Sequence, residues 1–295
     1  MDLPKHDRYD YSALCSRADY SWPGDKRLAV CICNNIEQFG FLSGLGSDST
    51  QPGAAQNTRN YAWRDYGNRV GQWYLFDLLD EMAIPAAHNV NSLVLDACPE
   101  IVERIKARGD EVIGHGRTNA ERQDVLPEAE EARLIADSNE GIARHFGKPP
   151  EGWLGPYLAQ SAVTLDLLKE AGYSYVLDWP ADDQPFWMRT RSGPILSVPY
   201  SIEINDSPAL VFRQHSARAF EEMMIDQFDE MLVQSTRRPL VYTAVLHPFV
   251  IGQPFRLRAF RRAMEHILRH RESLWLTTPG EIARYCASLP SGLIP

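Results

Sequence analysis

Polar side chains gather wherever an apolar run of this sequence ends. Residues 27–33 (RLAVCIC) are followed by Asn34, Asn35 and Glu37, and residues 84–90 close on His88 and Asn89, with Asn91 just beyond. Residues 111–113 lead into His115, Gly116, Arg117, Thr118 and Asn119, and 175–177 into Asp178, Trp179, Asp182 and Asp183. The run 240–246 (LVYTAVL) ends in His247-Pro248. Carboxylates and imidazoles can exchange protons with a substrate, and neutral amides can orient one. A lone His at a strand end is more often a hydrogen-bonded structural residue, but two such ends, His115 and His247, raise the case for chemistry. His88, flanked by apolar residues, reads as structural. His145, His266 and His270 lie late in helical stretches, where a cation suits the helix dipole and needs no further role. Asp182-Asp183 also has a plain reading, as a solvated turn before Pro185.

The elements that would position these groups alternate. Strands are expected at 27–33, 84–90, 111–115, 173–178 and 240–246. Helices are expected at 72–82, from Pro127 to about 146 with Gly147 as its stop, at 164–171 closed by Gly172, and at 255–270. Thr278-Pro279-Gly280-Glu281 has capping-box spacing and opens a last helix. Strands alternating with helices imply a parallel sheet or barrel, whose functional groups sit at the C-terminal strand ends. Residues 40–60 form a long Gly/Ser/Gln/Asn stretch directly after Glu37, the place for a cover over a site. No linker divides the chain. Residues 1–27 read as an N-terminal arm and 28–295 as a single catalytic α/β barrel domain.

Composition narrows the function. Hydrophobic residues make up 44% and charged residues 23% of 295, enough for a sizeable core. A net charge of −9 would repel phosphate backbones, so nucleic acid is not expected as a partner. No apolar run reaches the roughly 20 residues needed to cross a bilayer, so no membrane partner is expected. The start, Met1-Asp2-Leu3-Pro4-Lys5-His6, lacks a signal-peptide layout, and the five scattered cysteines suit a reducing cytoplasm. Cys31 and Cys33 alternate within an apolar run, as strand positions would. Gly44-Leu45-Gly46 begins like a dinucleotide loop, but Ser49 stands where the third glycine belongs. There is no P-loop, no G-x-S-x-G elbow and no zinc-spaced pair: the i+4 partner of His115 is Asn119.

Further motifs lie between these ends: Trp22-Pro23-Gly24, Asn35-Ile36-Glu37, Arg64-Asp65-Tyr66-Gly67 with Arg69, Gly71 and Trp73, and Gly109-Asp110-Glu111. Gly152-Trp153-Leu154-Gly155-Pro156, Val198-Pro199-Tyr200, Asn205-Asp206 and Gly252-Gln253-Pro254 complete the series. Together they resemble the polysaccharide deacetylase superfamily, and most its metal-independent allantoinase and cyclic-imide hydrolase branch, over about residues 22 to 287. The resemblance implies an α/β fold, a distorted (β/α) barrel of about seven strands. Sugar deacetylases of this superfamily use a first-motif pair of aspartates as base and metal ligand, where Asn34 and Asn35 stand here. Their two metal-binding histidines are reduced to His115, their third-motif arginine is Leu154, and the last-motif histidine is kept as His247.

The expectation is therefore a hydrolase that opens a C–N bond of a small cyclic amide without a cofactor. Catalysis falls to Glu37, His115 and His247. Glu37 would activate water or polarise substrate, and the histidines would deliver the proton. Asn35, Arg64, Asn119, Trp179, Asp183 and Tyr200 would bind the substrate, with Trp179 and Tyr200 as walls of a flat pocket. The alternatives are a metal-dependent deacetylase of an N-acetylated sugar or amine, with zinc held by His88, His115, His247 and Glu37, and a non-catalytic small-ligand binding protein. The same resemblance implies a homotetramer, and the composition a cytoplasmic location.

Overall fold

A strand buried on both faces has no reason to alternate polar and apolar residues, and β1 (Leu28–Ile36) is buried at all nine positions. In the computed structural model, which describes residues 3, 5–46 and 55–295, β1 pairs with three other strands of one sheet. It pairs in parallel with β8 (Leu240–Leu246) along one edge. The other edge is shared: β9 (Leu274–Thr277) covers Leu28–Cys31, and β2 (Ala87–Val90) covers Cys33–Ile36. The sheet continues through β3 (Glu111–Gly114), β4 (Gly152–Trp153), β5 (Tyr175–Val176) and β7 (Ile195–Ser197), all parallel. β6 (Phe186–Met188) adds an antiparallel edge to β7.

No ladder joins β7 to β8. Irregular segments close the ring instead: Val241 N–H donates to the Asp183 carbonyl, Val245 N–H to the Ile204 carbonyl, and Thr243 Oγ1 to the Pro199 carbonyl, each at 2.9 Å. The fold is thus a distorted (β/α) barrel, with β1–β5, β7 and β8 as its seven consecutive parallel strands.

The period of two along β1 sorts its side chains. Ala29, Cys31 and Cys33 face the barrel interior with Ile113, Leu154, Tyr175, Leu177 and Tyr200. Leu28, Val30 and Ile32 face the helical layer. All five cysteines are free. By the same alternation Asn35 points inward and Asn34 outward. Asn34 Nδ2 donates to Gln72 Oε1 at 2.9 Å and lies 3.0 Å from His88 Nδ1, whose Nε2 lies 2.9 Å from Asp110 Oδ2. His88 is therefore structural, as its apolar neighbours imply. Asn34 does not stand at the site as half of a motif pair, which corrects that assignment.

Helices α1 (Thr58–Tyr66) and α2 (Gln72–Glu81) are joined by a π turn, Gly67–Gly71. The missing side chain at Gly71 lets this turn lie against Pro248 and Gly252, just beyond β8. The 40–60 stretch is shorter than expected, since Thr58 to Asn60 already belong to α1. Its middle, 47–54, lies outside the described residues.

A helix at Ala217–Ser235 carries no expectation from the sequence above, although its signals are ordinary. Ser216 caps it by accepting from Ala219 N–H, and Phe220, Met224, Phe228 and Met231 form the buried stripe. Each such side chain contributes about 1.5–3 kcal/mol on burial. The expected capping box at Thr278 does not form. Glu281 accepts from Thr277 Oγ1 at 2.5 Å, and Gly280 N–H is taken by Glu111 Oε2 at 2.9 Å.

Candidate active site

Inward parity and the end of β1 put Glu37 at the barrel mouth. Its carboxylate is buried, and Oε1 lies 3.5 Å from His115 Nε2 and 3.6 Å from His247 Nε2. His115 follows β3, and His247 follows β8. Three segments far apart in sequence thus aim two imidazoles at one carboxylate oxygen.

Each ring is anchored from behind through Nδ1. His115 Nδ1 donates to the Leu154 carbonyl at 2.6 Å. A carbonyl only accepts, so Nδ1 carries hydrogen and the neutral ring keeps its lone pair on Nε2. His247 Nδ1 donates to Asp206 Oδ1 at 2.7 Å, and the main-chain N–H of His247 donates to Asp206 Oδ2 at 2.8 Å. Asp206 is brought there by register, because Asn205 bridges Val245 in parallel, two residues before His247.

The charges sort themselves between base and acid. Burial alone would raise the Glu37 carboxyl, but His247, His115 and Arg64 together hold it below the ordinary range. Burial alone would lower the His247 imidazole, but Glu37 and Asp206 outweigh it and raise the pKa, against a smaller opposing push from Arg64. The site thus favours the ionised form of Glu37 and the protonated form of His247.

Neutral groups fix the carboxylate. Asn119 Nδ2 donates to Glu37 Oε1 at 2.6 Å, while Asn119 Oδ1 accepts from Asn91 Nδ2 at 3.0 Å. Asn68 Nδ2, on the π turn, donates to the Glu37 main-chain carbonyl at 2.9 Å. The Arg64 guanidinium lies 3.8 Å over the Phe39 ring, with the Phe249 ring 5.0 Å away. From this segment Arg64 and Asn68 act on Glu37, while Trp73 packs against Phe76 and Arg69 pairs with Asp65.

Not every expected residue arrives. Asn35 and Tyr200 lie beneath Glu37 and satisfy each other: Asn35 Nδ2 donates to Tyr200 Oη at 3.2 Å and to the Leu246 carbonyl at 3.1 Å, and Oδ1 accepts from Asn89 at 3.0 Å. They form a bonded floor rather than substrate contacts. Trp179 packs on the N-terminal arm, edge-on to Tyr9 and His6, with Nε1 donating to Gln160 at 2.9 Å. It is no wall of the Glu37 cluster. Asp183 is bound through its carbonyl to Val241, six residues before His247 on one strand, roughly 20 Å down the barrel at about 3.3 Å per residue. The chain turns down after Asp178, which removes Asp183 from the site.

Asp206, Asn91, Asn68 and Tyr157 carry no role in the sequence reading. Asp206 had a signal, in the Asn205-Asp206 pair. Tyr157 had none: it holds φ +64°, unusual for a non-glycine residue, and its hydroxyl donates to the Asn119 carbonyl at 2.6 Å. Among the described residues no three His, Cys, Asp or Glu side chains are arranged to hold a metal ion. Of the four side chains expected to hold zinc in the alternative reading, His88 is turned away to Asp110, and Glu37, His115 and His247 face one another.

Residues 63–176 match the polysaccharide deacetylase family model, a span that includes Arg64, His115, Asn119 and Leu154. Over that span the chain resembles polysaccharide deacetylases. A putative polysaccharide deacetylase of Schizosaccharomyces pombe is 25% identical over 293 residues, covering 89% of this chain and 91% of that protein. Among solved structures, the PuuE allantoinase superposes with a TM-score of 0.83 at 26% identity, over 91% of this chain and 93% of that one. A probable polysaccharide deacetylase from Pseudomonas aeruginosa PAO1 gives 0.79 at 25% identity, over 90% and 92%. The chain thus shares its barrel fold with proteins named as an allantoinase and as polysaccharide deacetylases. Among the described residues no helix is long and apolar enough to cross a membrane.

Proposed function

We propose that this protein is a metal-independent hydrolase that opens a small cyclic amide, an imide or an allantoin-like ring. The observation that carries it is the single carboxylate of Glu37 facing Nε2 of both His115 and His247, with Asp206 behind the latter. Glu37 takes a proton from water as the water oxygen adds to the ring carbonyl carbon. Protonated His247 gives its Nε2 hydrogen to the ring nitrogen as the C–N bond breaks, and the proton on Glu37 then restores His247. Asn119 holds the base in place, and Arg64 offers charge to the developing oxyanion; one such donor is typically worth 10²–10³ in rate. The PuuE allantoinase likeness supports the cyclic substrate.

The deacetylase names of other relatives support a second reading, release of acetate from an N-acetylated sugar or amine. A panel of allantoin, hydantoins, cyclic imides and N-acetylated sugars, run with and without chelator beside elemental analysis, separates them. Ring opening indifferent to chelator is the expected result. Stoichiometric zinc, with activity lost on chelation and restored on refilling, would sink the metal-free reading. Acetate release without ring opening would replace the substrate class. Sedimentation of the same preparation tests the proposed homotetramer.

A further inference from the structure

The peptide group between Leu154 and Gly155 is bonded at both ends by side chains. Its carbonyl accepts His115 Nδ1–H at 2.6 Å, and its N–H donates to Asp178 Oδ1 at 2.6 Å. A trans peptide points its C=O and N–H in opposite directions, so imidazole and carboxyl sit on either side of one polarisable plane. His115, Leu154 and Asp178 are all buried. A Cβ at position 155 would stand 2.9 Å from Asp178 Oδ1, from Gln123 Nε2 and from the Ala159 carbonyl, so glycine here leaves the carboxyl room to approach this N–H.

We propose that Asp178 is a positioning residue that holds the tautomer and orientation of His115 through the Leu154–Gly155 peptide. An ionised Asp178 draws on the N–H, enriches the carbonyl oxygen and strengthens its bond to Nδ1–H, since linked hydrogen bonds polarise one another. The bond at one imidazole nitrogen sets the role of the other, so Nε2 stays turned toward Glu37 as an acceptor. Burial raises the Asp178 carboxyl to about 7, against the hydrogen bond from Gly155 N–H and the neighbouring Gln160 amide, which lower it. No charged side chain contributes to that shift. The charge facing His115 itself is Glu37, beyond which stand His247 and Arg64. The relay therefore strengthens as pH rises through neutrality.

The role of this relay in turnover rests on the ring-opening reading; the relay itself does not. The test compares the full chain with Asp178→Asn, labelled with ¹⁵N in histidine and glycine, from about pH 5 to about pH 9. A His115→Gln sample assigns the ring signals and a Gly155→Ala sample the amide. Asparagine keeps an oxygen for Gly155 N–H and removes only the charge. His115 should hold the Nδ1–H tautomer in the wild type, and the step near pH 7 that its nitrogens share with the Gly155 amide should be missing from Asp178→Asn. The kcat ratio of wild type to variant on a ring substrate should be near one at about pH 6. It should reach about 10–100-fold at about pH 8.5, the usual effect of losing an orienting partner. A merely structural role would not make that ratio depend on pH. His115 nitrogens unchanged in a folded Asp178→Asn overturn the proposal. If that variant does not fold, the wild type decides. A shared midpoint for the Gly155 amide and His115 Nδ1 supports the relay, and a Gly155 step with none at His115 overturns it. The spectra need no turnover, so absence of ring opening would refute the activity and leave this inference standing.

Discussion

Replacing Asp206 with asparagine keeps the shape of the side chain and removes one charge and one acceptor. Two donors converge on that carboxylate, His247 Nδ1–H at 2.7 Å and the His247 main-chain N–H at 2.8 Å. Asparagine has one oxygen to offer. If it faces the ring, the main-chain N–H meets an NH₂ group and is left buried without an acceptor, at about 1–3 kcal/mol of stability. If it faces the main chain, the NH₂ meets Nδ1 and forces the neutral ring to carry its hydrogen on Nε2. In both arrangements one of the two negative charges that raise the His247 pKa is gone. The ring then loses its proton at lower pH, and the acid that releases the leaving nitrogen is missing under alkaline conditions. General acid catalysis is worth about 10²–10⁴-fold, so kcat should fall within that range. The basic limb of the pH profile should move down. Rates across pH, with urea unfolding beside them, measure both effects. A folded Asp206→Asn enzyme with more than about half of wild-type kcat and an unmoved basic limb would refute the reasoning.

Glu37→Gln should lose about 10²–10⁴-fold in kcat with its circular dichroism unchanged, because glutamine can still accept the Asn119 amide but cannot take a proton. Near-normal kcat in a folded Glu37→Gln protein would leave His115 as the base. kcat/KM should follow a bell against pH, the acid limb below the ordinary 4.5 of a glutamate and the basic limb above the ordinary 6.5 of a histidine. Limbs reversed about those values would contradict the assignment. Stability should fall at both ends of the scale. The lowered Glu37 pKa contributes above its unfolded value and is lost as pH drops through the folded one; the raised His247 pKa contributes below its unfolded value and is lost as pH climbs through the folded one. Asp178, raised from 3.8 to about 7, costs stability as pH rises through that interval, up to about 4 kcal/mol at ~1.4 kcal/mol per unit. Asp178→Asn should therefore unfold at higher urea than wild type at about pH 8.5 and at the same urea at about pH 4; equal midpoints at both would be the contrary result.

The legible part of this fold was whatever depends on local pattern. β1 and β8 are the two most apolar runs, and both are buried along their whole length. Glu37, His115 and His247 come together because each follows a strand of one parallel sheet, and such ends share one mouth. What local pattern lacks is the path of the chain between strands. Asp183 sits only five residues after Asp178, yet those residues turn down the barrel wall to meet Val241. Asp206 follows no strand of its own and reaches His247 through one parallel bridge, Asn205 to Val245. Tyr157 depends on a positive φ that nothing at that position announces.

The spacing within the cluster explains how one carboxylate can serve beside two imidazoles. Separations of 3.5 and 3.6 Å are longer than a hydrogen bond, yet at an effective dielectric near 20 an ionised Glu37 and a protonated His247 would attract by about 5 kcal/mol. A free ring would close that gap. Both rings are held in place, His115 by the Leu154 carbonyl and His247 by Asp206, while Asn119 keeps the Glu37 oxygen from moving toward either. The rigid peptide of β4's exit and the register of β8 thus maintain an unclosed space in which a proton acceptor and a proton donor face the same point. Environments that push an acid and a base apart in pKa mark the division of roles in hydrolytic sites. Here the division follows from position: the carboxylate that faces the protonated ring becomes the base, and the ring backed by a second carboxylate becomes the acid.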